Sequence, residues 1–453
     1  MKRYQIVLFI FAVIALLTGL CAVFPQDGLF GLRFPQLSEF LASAAQKPLG
    51  PTPEELIEMR HQAVQAAERD EFRHFFETDP ARFYLPEDDI RFFDPLFEAL
   101  EAAEQTPLRI VHYGDSQIEE DRITGTIRER LQARFGGSGP GMMPPRTYAT
   151  PRVGGSSSAE LTRYFAYGDA SHRAGIRQYG PYADFVRLDT TTTFSYYPLR
   201  TRDREPNTFE RVTLLAGRIQ GSLNVSCQRN RQTAEAGSPL AFVRFELPDS
   251  SVRVSLTVGG RADIYGVLLD GKTGVRMDNV PMRGSSGSFF SQLDAAQLRA
   301  FYSQENVRLI LLQYGGNSVP YLKTEQAISN FLEIVRRQIR FLHQVAPEAK
   351  IVFVGPSDMA TVVGGKRQTY PLLPGFVDSL KVSATVAGAA YWDIYGVMGG
   401  ENSMISWVSA RPALAGSDYV HFTLAGSQRI GEMFCDAFFL YYDYYRWRKK
   451  HGR

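Results

Sequence analysis

The sequence predicts an α/β protein: a parallel sheet with helices on both faces, interrupted by an inserted antiparallel β-sandwich of jelly-roll type and preceded by an N-terminal membrane helix. Three observations predict it. Short apolar runs at Leu108–Gly114, Val307–Gln313 and Ile351–Val354 alternate with segments of helical apolar spacing, the pattern of parallel strands buried on both faces. Between two such blocks, residues 161–269 turn to alternating, β-rich runs parted by Gly, Pro, Asn and Asp. Tyr4–Phe24 is uncharged, strongly apolar and close to the ~20 residues that a helix needs to cross a bilayer.

At the N-terminus, Lys2 and Arg3 precede the apolar span, which favours that end inside and the body outside. No Ala-x-Ala site follows Leu20, and no small residue stands directly before Cys21 as bacterial lipidation wants. The span therefore reads as an uncleaved anchor, with a cleaved secretion signal as the alternative, and the body is expected in the periplasm or another extracytoplasmic space. Residues 1–25 form this anchor. Residues 26–105 read as a linker and a helical segment, in which Leu56, Met59, Val64, Ala67 and Phe72 set an amphipathic period.

The α/β domain is expected in two parts, 106–160 and 270–453, around the sandwich at 161–269. Its first strand runs into Gly114-Asp115-Ser116, and Ile118, Ile123, Ile127, Leu131 and Phe135 mark a helix directly after it. Gly136-Gly137-Ser138-Gly139-Pro140-Gly141 resembles a phosphate loop in composition, but Met142 and Met143 follow where Lys and Ser or Thr would be needed, so it reads as a plain loop. The sandwich has runs such as Phe185–Leu188, Val212–Leu215, Val252–Val258 and Ile264–Leu269, and either shapes the cleft or binds glycan. Beyond 270, Ile328, Phe331, Val335, Ile339 and Leu342 space a helix; another is expected near 371–387, a strand at Ala390–Ile394, and a last helix over Leu424–Trp447.

Composition excludes some functions. A chain of 453 residues with 44% hydrophobic and 22% charged content has enough apolar material for two or three cores, so disorder is not its theme. A net charge of +2 is too small to draw nucleic acid, and no nucleic-acid motif is present. Outside the anchor only Cys227 and Cys435 remain, expected as two buried thiols rather than a bridge.

The chemistry-bearing residues lie at strand ends. A turn that lifts a serine clear of the sheet edge makes Ser116 a candidate nucleophile. Its hydroxyl needs a base, and of seven histidines His421 has the telling context: Asp418 stands three residues ahead, able to bond Nδ1–H and leave Nε2 to take the serine proton. Donors for an oxyanion are the second need; the Ser116 N–H is one, and the amide of Asn317, directly after a buried strand and two glycines, is another.

Gly-Asp-Ser, Gly-x-Asn and Asp-x-x-His, in that order, resemble the SGNH/GDSL hydrolase superfamily. The resemblance implies a flavodoxin-like sheet, Ser116 as nucleophile, His421 as base, Asp418 as its orienting carboxylate, Asn317 as oxyanion donor, and a glycine after the second strand that gives its backbone N–H. Gly284, in Met282-Arg283-Gly284-Ser285, matches that glycine best, with Gly287 and Gly154 as fallbacks. Tyr113–Gln117 followed by Gly125, Arg128, Leu131 and Phe135-Gly136-Gly137, with a sandwich between the Ser and Gly blocks, is similar to bacterial peptidoglycan O-acetylesterases. The implied activity is removal of O-acetyl groups from a cell-envelope polysaccharide without metal or organic cofactor. The partners expected are an acetylated glycan and, through the N-terminal helix, a membrane. Polysaccharide O-acetyltransferase, lipase or thioesterase, and a catalytically inactive glycan-binding protein are the alternatives.

Overall fold

The computed structural model describes residues 69–150, 152–199 and 207–452, with scattered positions before them. Contacts divide the chain into two units, Met1–Thr52 and Pro53–Arg453. In the first unit the described positions between Gln5 and Gly19 are helical. Most of the predicted anchor, Cys21 included, lies outside the described residues; among the described residues no helix is long and apolar enough to cross a membrane.

In the second unit the strands are, in chain order, β1 (Phe83–Tyr84), β2 (Leu108–Gly114), β3 (Gly141–Met143), β4 (Tyr148–Ala149), β5 (Val153–Ser157), β6 (Arg163–Phe165), β7 (Asp184–Leu188), β8 (Thr192–Pro198) and β9 (Phe209–Cys227). They continue with β10 (Asn230–Glu235), β11 (Ala241–Ser251), β12 (Val254–Asp270), β13 (Val275–Pro281), β14 (Val307–Gln313), β15 (Lys350–Val354), β16 (Ala360–Val363), β17 (Lys366–Thr369) and β18 (Ala390–Trp392). The helices used below are α1 (Arg69–Thr78), α2 (Asp94–Glu101), α3 (Thr124–Phe135), α4 (Ala295–Gln304), α5 (Glu325–Val345), α6 (Leu373–Val386) and α7 (Leu424–Lys450).

One sheet has the order β1-β18-β15-β14-β2-β13, parallel throughout except for β1 at its edge. Its five parallel strands run second, first, third, fourth, fifth, the flavodoxin-like order, whose switch point falls between β2 and β14. All seven residues of β2 are buried, and alternation sorts them onto the two faces. Val111 and Tyr113 join a core with residues of α4, α5 and α6, among them Leu298, Ile339 and Phe376. Leu108 and Ile110 join the opposite core with Ile127 of α3 and Phe434 and Phe438 of α7. Each such aliphatic side chain, fully buried, stabilises the fold by roughly 1.5–3 kcal/mol.

Residues 69–105, the later part of the segment read as a linker and a helix, are built into this domain. Phe75 and Phe76 of α1 pack on Tyr441, Phe97 of α2 packs on Phe438, and β1 adds an edge strand against β18. At the C-terminal end of α7, Arg448 pairs with Asp94 and Lys449 with Glu101.

The antiparallel strands depart from the expected jelly roll in two ways. They start at Gly141 rather than 161, because β3 pairs with β12, and they form one ten-stranded sheet rather than two stacked ones. The cause lies in β9 and β12, which run side by side through register shifts between Gly259 and Gly266. Bulges bend strands and raise their twist. The first half of β12 therefore has β8 as its other neighbour and the second half β7 and then β3, and the sheet folds over a core of residues such as Phe194, Leu214, Val225 and Leu256. Gly137, Gly139 and Gly141, the loop read from the sequence as structural, run against this junction: a Cβ on Gly139 would stand 2.2 Å from the Leu269 carbonyl oxygen.

Arg109 on β2 fastens the two sheets together. It is 0% exposed; its guanidinium donates to Asp270 at the end of β12 (2.5 Å), to Asp278 on β13 (2.6 Å) and to Glu305 after α4 (3.0 Å). Cys227 and Cys435 are buried free thiols.

Candidate active site

β2 and β14 diverge at the switch point, and the segments that leave their carboxyl ends form a cleft of about 210 Å³. Its walls include Asp115, Ser116, Gln117, Asn317, Pro320 and His421. Ser116 opens a 3₁₀ turn, Ser116–Asp121, not the α-helix expected there. Glu120 and Asp121 take left-handed backbone conformations (φ 59° and 62°), which stops the turn, and α3 begins only at Thr124. Asp115 caps the turn: its Oδ1 accepts the Gln117 N–H at 3.0 Å.

The Ser116 hydroxyl lies 2.8 Å from His421 Nε2, and His421 Nδ1 lies 2.7 Å from Asp418 Oδ2. The Asp418 loop is a tight turn, with Tyr419 at φ 59° and the Gly416 N–H donating to the His421 carbonyl. Asp418 Oδ1 also accepts the N–H groups of Val420 and His421 at 3.0 and 3.1 Å. Partial burial alone would raise the Asp418 pKa, but the hydrogen bonds from the His421 ring and the two N–H groups outweigh it and hold the carboxyl below its ordinary value. It is therefore ionised at neutral pH and fixes the ring with Nε2 toward the serine.

Gln117 brackets the histidine from the other side. Its Nε2 donates to the Val420 carbonyl (2.7 Å) and its Oε1 accepts the Phe422 N–H (3.2 Å). The sequence alone gives Gln117 no role of its own. The one available signal was that an amide next to the serine can donate and accept at once, as a loop backbone requires. The cap of α7 is Thr423, whose Oγ1 accepts the Gly426 N–H, so His421 has no capping duty.

Asn317 opens onto the same cleft. Its Nδ2 donates to Asp115 Oδ2 (3.2 Å) and to the Ser285 carbonyl (3.1 Å), which engages both of its N–H groups. Donation to an oxyanion would need one of these bonds to be shared or released. Gly284, at φ 76° in the loop after β13, is not among the cleft-lining residues; its neighbour Ser285 is what reaches Asn317. Of the fallbacks, Gly287 abuts the Tyr314 ring, and Gly154 sits on β5 against Tyr197, in the other sheet. Burial lifts the Asp115 carboxyl to about 6, against the opposing pull of the Gln117 N–H.

His112, the histidine nearest the turn in sequence, is a core residue. It is held between Gln313 and Thr124, and burial drops its pKa to about 3, so it stays neutral. Among the described residues no three metal-ligating side chains come together.

No family model matches the chain, and no curated protein matches it. Among solved structures, a peptidoglycan O-acetylesterase superposes with a TM-score of 0.65 at 18% identity, covering 80% of this chain and 98% of that one. A family two carbohydrate esterase from Cellvibrio japonicus (TM-score 0.20, 10% identity, 53% of this chain and 88% of that one) and an acetyl xylan esterase (0.26, 12%, 37% and 81%) also match. Their TM-scores are too low to carry any argument. The first match shows the fold: this chain shares the fold of that solved structure.

Proposed function

We propose that this protein is an SGNH-type serine esterase that removes O-acetyl groups from a cell-envelope polysaccharide, peptidoglycan being the first substrate to test. The observation that carries the reading is the hydrogen-bonded line from Ser116 through His421 to Asp418 at a sheet switch point, where α/β folds bind their ligands. Ser116 Oγ attacks the acetyl carbonyl carbon as its proton passes to His421 Nε2, and Asp418 supports the imidazolium. The tetrahedral oxyanion is met by the Ser116 N–H and by Asn317 once its amide releases Asp115 or the Ser285 carbonyl, each donor being worth roughly 3–4 kcal/mol of barrier, while Gly284, outside the cleft lining, would have to move to add its N–H. His421 then protonates the departing sugar oxygen. The acetyl group, now on Ser116, is released as acetate when water attacks with the same imidazole as base.

The test is acetate release from O-acetylated peptidoglycan by the full chain and by Ser116→Ala, with 4-nitrophenyl acetate as a generic ester. Release from both substrates that vanishes in the variant supports the reading. Turnover of the small ester alone keeps the mechanism and moves the substrate to another acetylated glycan, or to transfer onto one; activity that survives in Ser116→Ala removes the nucleophile. The extracytoplasmic, membrane-tethered placement rests on Tyr4–Phe24, and protease digestion of intact spheroplasts tests it.

One observation favours a second reading, a lipase or thioesterase. An apolar hollow of about 320 Å³, walled by Val319, Leu322, Leu373 and Phe376, shares Pro320 and Tyr370 with the Ser116 cleft. Faster hydrolysis of 4-nitrophenyl octanoate than of the acetate would favour it.

A further inference from the structure

On the other side of the Ser116–Asp121 turn lies a second, larger cavity of about 350 Å³, within the range of ligand-sized clefts (roughly 300–1,000 Å³). Its floor is Glu119–Asp121, three to five residues beyond Ser116, and one wall is Arg283, the residue before Gly284. The opposite wall comes from the start of the antiparallel sheet and carries the aromatic rings of Tyr148 and Tyr167. The cavity thus lies between the two sheets; it shares no lining residue with the Ser116 cleft and is joined to it by the turn Ser116–Asp121.

Its charges are almost entirely matched. Asp121 takes both ends of the Arg128 guanidinium, Glu119 pairs with Arg283 at 2.9 Å, and Asp184 pairs with Arg163. Glu120 faces Arg122 at 4.0 Å. Each of the four lining carboxylates therefore has an arginine of its own, and one guanidinium is left over. Arg146 lines the cavity with no side-chain hydrogen bond and no ion pair among the described residues, and its Nε is shielded from solvent without a partner. Burial pulls its pKa below the ordinary value, with Asp184 opposing, so nothing in its surroundings fully compensates its charge. The Arg146 side chain is half-buried, and a donor such as its Nε, shielded from water without a partner, costs the fold free energy. A planar guanidinium with free N–H groups fits a carboxylate, which it can hold with two parallel bonds.

We propose that the Arg146 cavity is a subsite for the carboxylate of an acidic sugar, adjoining the acetylated sugar at Ser116. The inference deepens the glycan-esterase reading and rests on it for the neighbouring position. A carboxylate could come from a uronic acid or from the lactyl ether of N-acetylmuramic acid; the guanidinium contact is the same.

The test is equilibrium binding to the full chain carrying Ser116→Ala, so that no ester turns over, with and without Arg146→Gln. Three probes are compared: N-acetylmuramic acid, digalacturonate and N-acetylglucosamine. Tighter binding of at least one acidic probe than of the neutral sugar, by tenfold or more and lost with Arg146→Gln, is expected, and which acidic probe binds distinguishes the two sources. Equal binding of acidic and neutral sugars, or an acid preference that survives Arg146→Gln, overturns the proposal. In otherwise wild-type protein, Arg146→Gln should raise KM for an O-acetylated acidic glycan at least tenfold and leave 4-nitrophenyl acetate turnover unchanged. Arg146→Met should melt no lower than wild type, whereas a drop of several degrees would make Arg146 a structural residue. Should Ser116 turn over no ester, the esterase reading fails, and the binding comparison still decides the subsite.

Discussion

At its start, strand β2 carries Arg109, fully buried and paired with three carboxylates that come from β12, β13 and the end of α4. At its other end the same strand hands over to Asp115 and Ser116, whose polar groups face a cleft and are joined into a chain that ends on the exposed Asp418. The first region spends its charge on itself. Breaking any of its bonds leaves an uncompensated charge in a dry interior, so its function is to hold the two sheets in register. The second region leaves its polar groups at the wall of a cleft: a hydroxyl bonded to a ring nitrogen, and an amide held by Asp115 and the Ser285 carbonyl. One strand supplies both because its middle, Ile110–Tyr113, is buried on both faces and keeps its two ends rigid relative to each other.

The largest expected effect sharpens that division. Ser116→Ala should lower kcat by about 10⁴–10⁶-fold, while unfolding in urea shifts by less than about 1 kcal/mol, since only one hydroxyl is removed. A matching loss of stability would mean that the cleft also holds the fold together. Arg109→Met is the reverse experiment. It takes the only ion-pair partner among the described residues from Asp270 and Asp278, leaves Glu305 to Arg244, and should destabilise by about 3–5 kcal/mol, with the kcat of the folded fraction at 15 °C close to wild type. If activity falls before stability does, the two ends of β2 are coupled and the comparison breaks. Asn317→Ala should cost about 10²–10³ in kcat with KM little changed. A small effect would mean that the bond to the Ser285 carbonyl keeps this amide out of the reaction.

These two regions also differ in how far they could be read from sequence. Ser116 at the end of a β-branched run, Asn317 after two glycines and Asp418 three residues before His421 are local patterns, and local patterns put residues at strand ends and on turns. The structure joins Ser116, His421 and Asp418 in one hydrogen-bonded line and puts Asn317 on the same cleft, bonded to Asp115 and the Ser285 carbonyl. What was not legible depends on partners far apart in the chain. Arg109 sits in an apolar run as an unexplained charge until Asp270 and Glu305, more than 150 residues away, arrive beside it. Gln117 acquires meaning only when the loop around Val420 and Phe422 folds over it. The two-residue β1 has no period to detect, and the continuous course of β9 and β12 hangs on bulges that alternation does not reveal. Nor does apolar spacing distinguish a 3₁₀ turn from the first turn of a helix, which is why α3 begins eight residues later than the pattern implies.

The smallest expected effect tests a residue that shares in both regions' character. Asp115 is buried like the carboxylates around Arg109, yet among the described residues no arginine pairs with it; its charge is met by the Gln117 N–H and by Asn317 Nδ2. Burial raises its pKa to about 6, above the ordinary carboxylate value. A raised acid keeps its proton in the folded state at pH values where the unfolded chain has lost it. Its contribution to stability is therefore full below about pH 4 and is lost as pH rises through about 6. Asp115→Asn removes this dependence, so the variant should gain stability relative to wild type as the pH is raised from 4 to 7, measured by thermal melting. Activity should move the other way. Above pH 6 the wild-type carboxylate accepts from Asn317 and holds its amide in place; the variant presents N–H to N–H, and kcat at pH 8 should fall about tenfold, a lost hydrogen bond to a charged group. At pH 5 the wild type is itself protonated and the gap between the two should narrow. An acid limb of kcat with the same slope and position in both proteins would leave Asp115 a turn cap whose charge the reaction does not use.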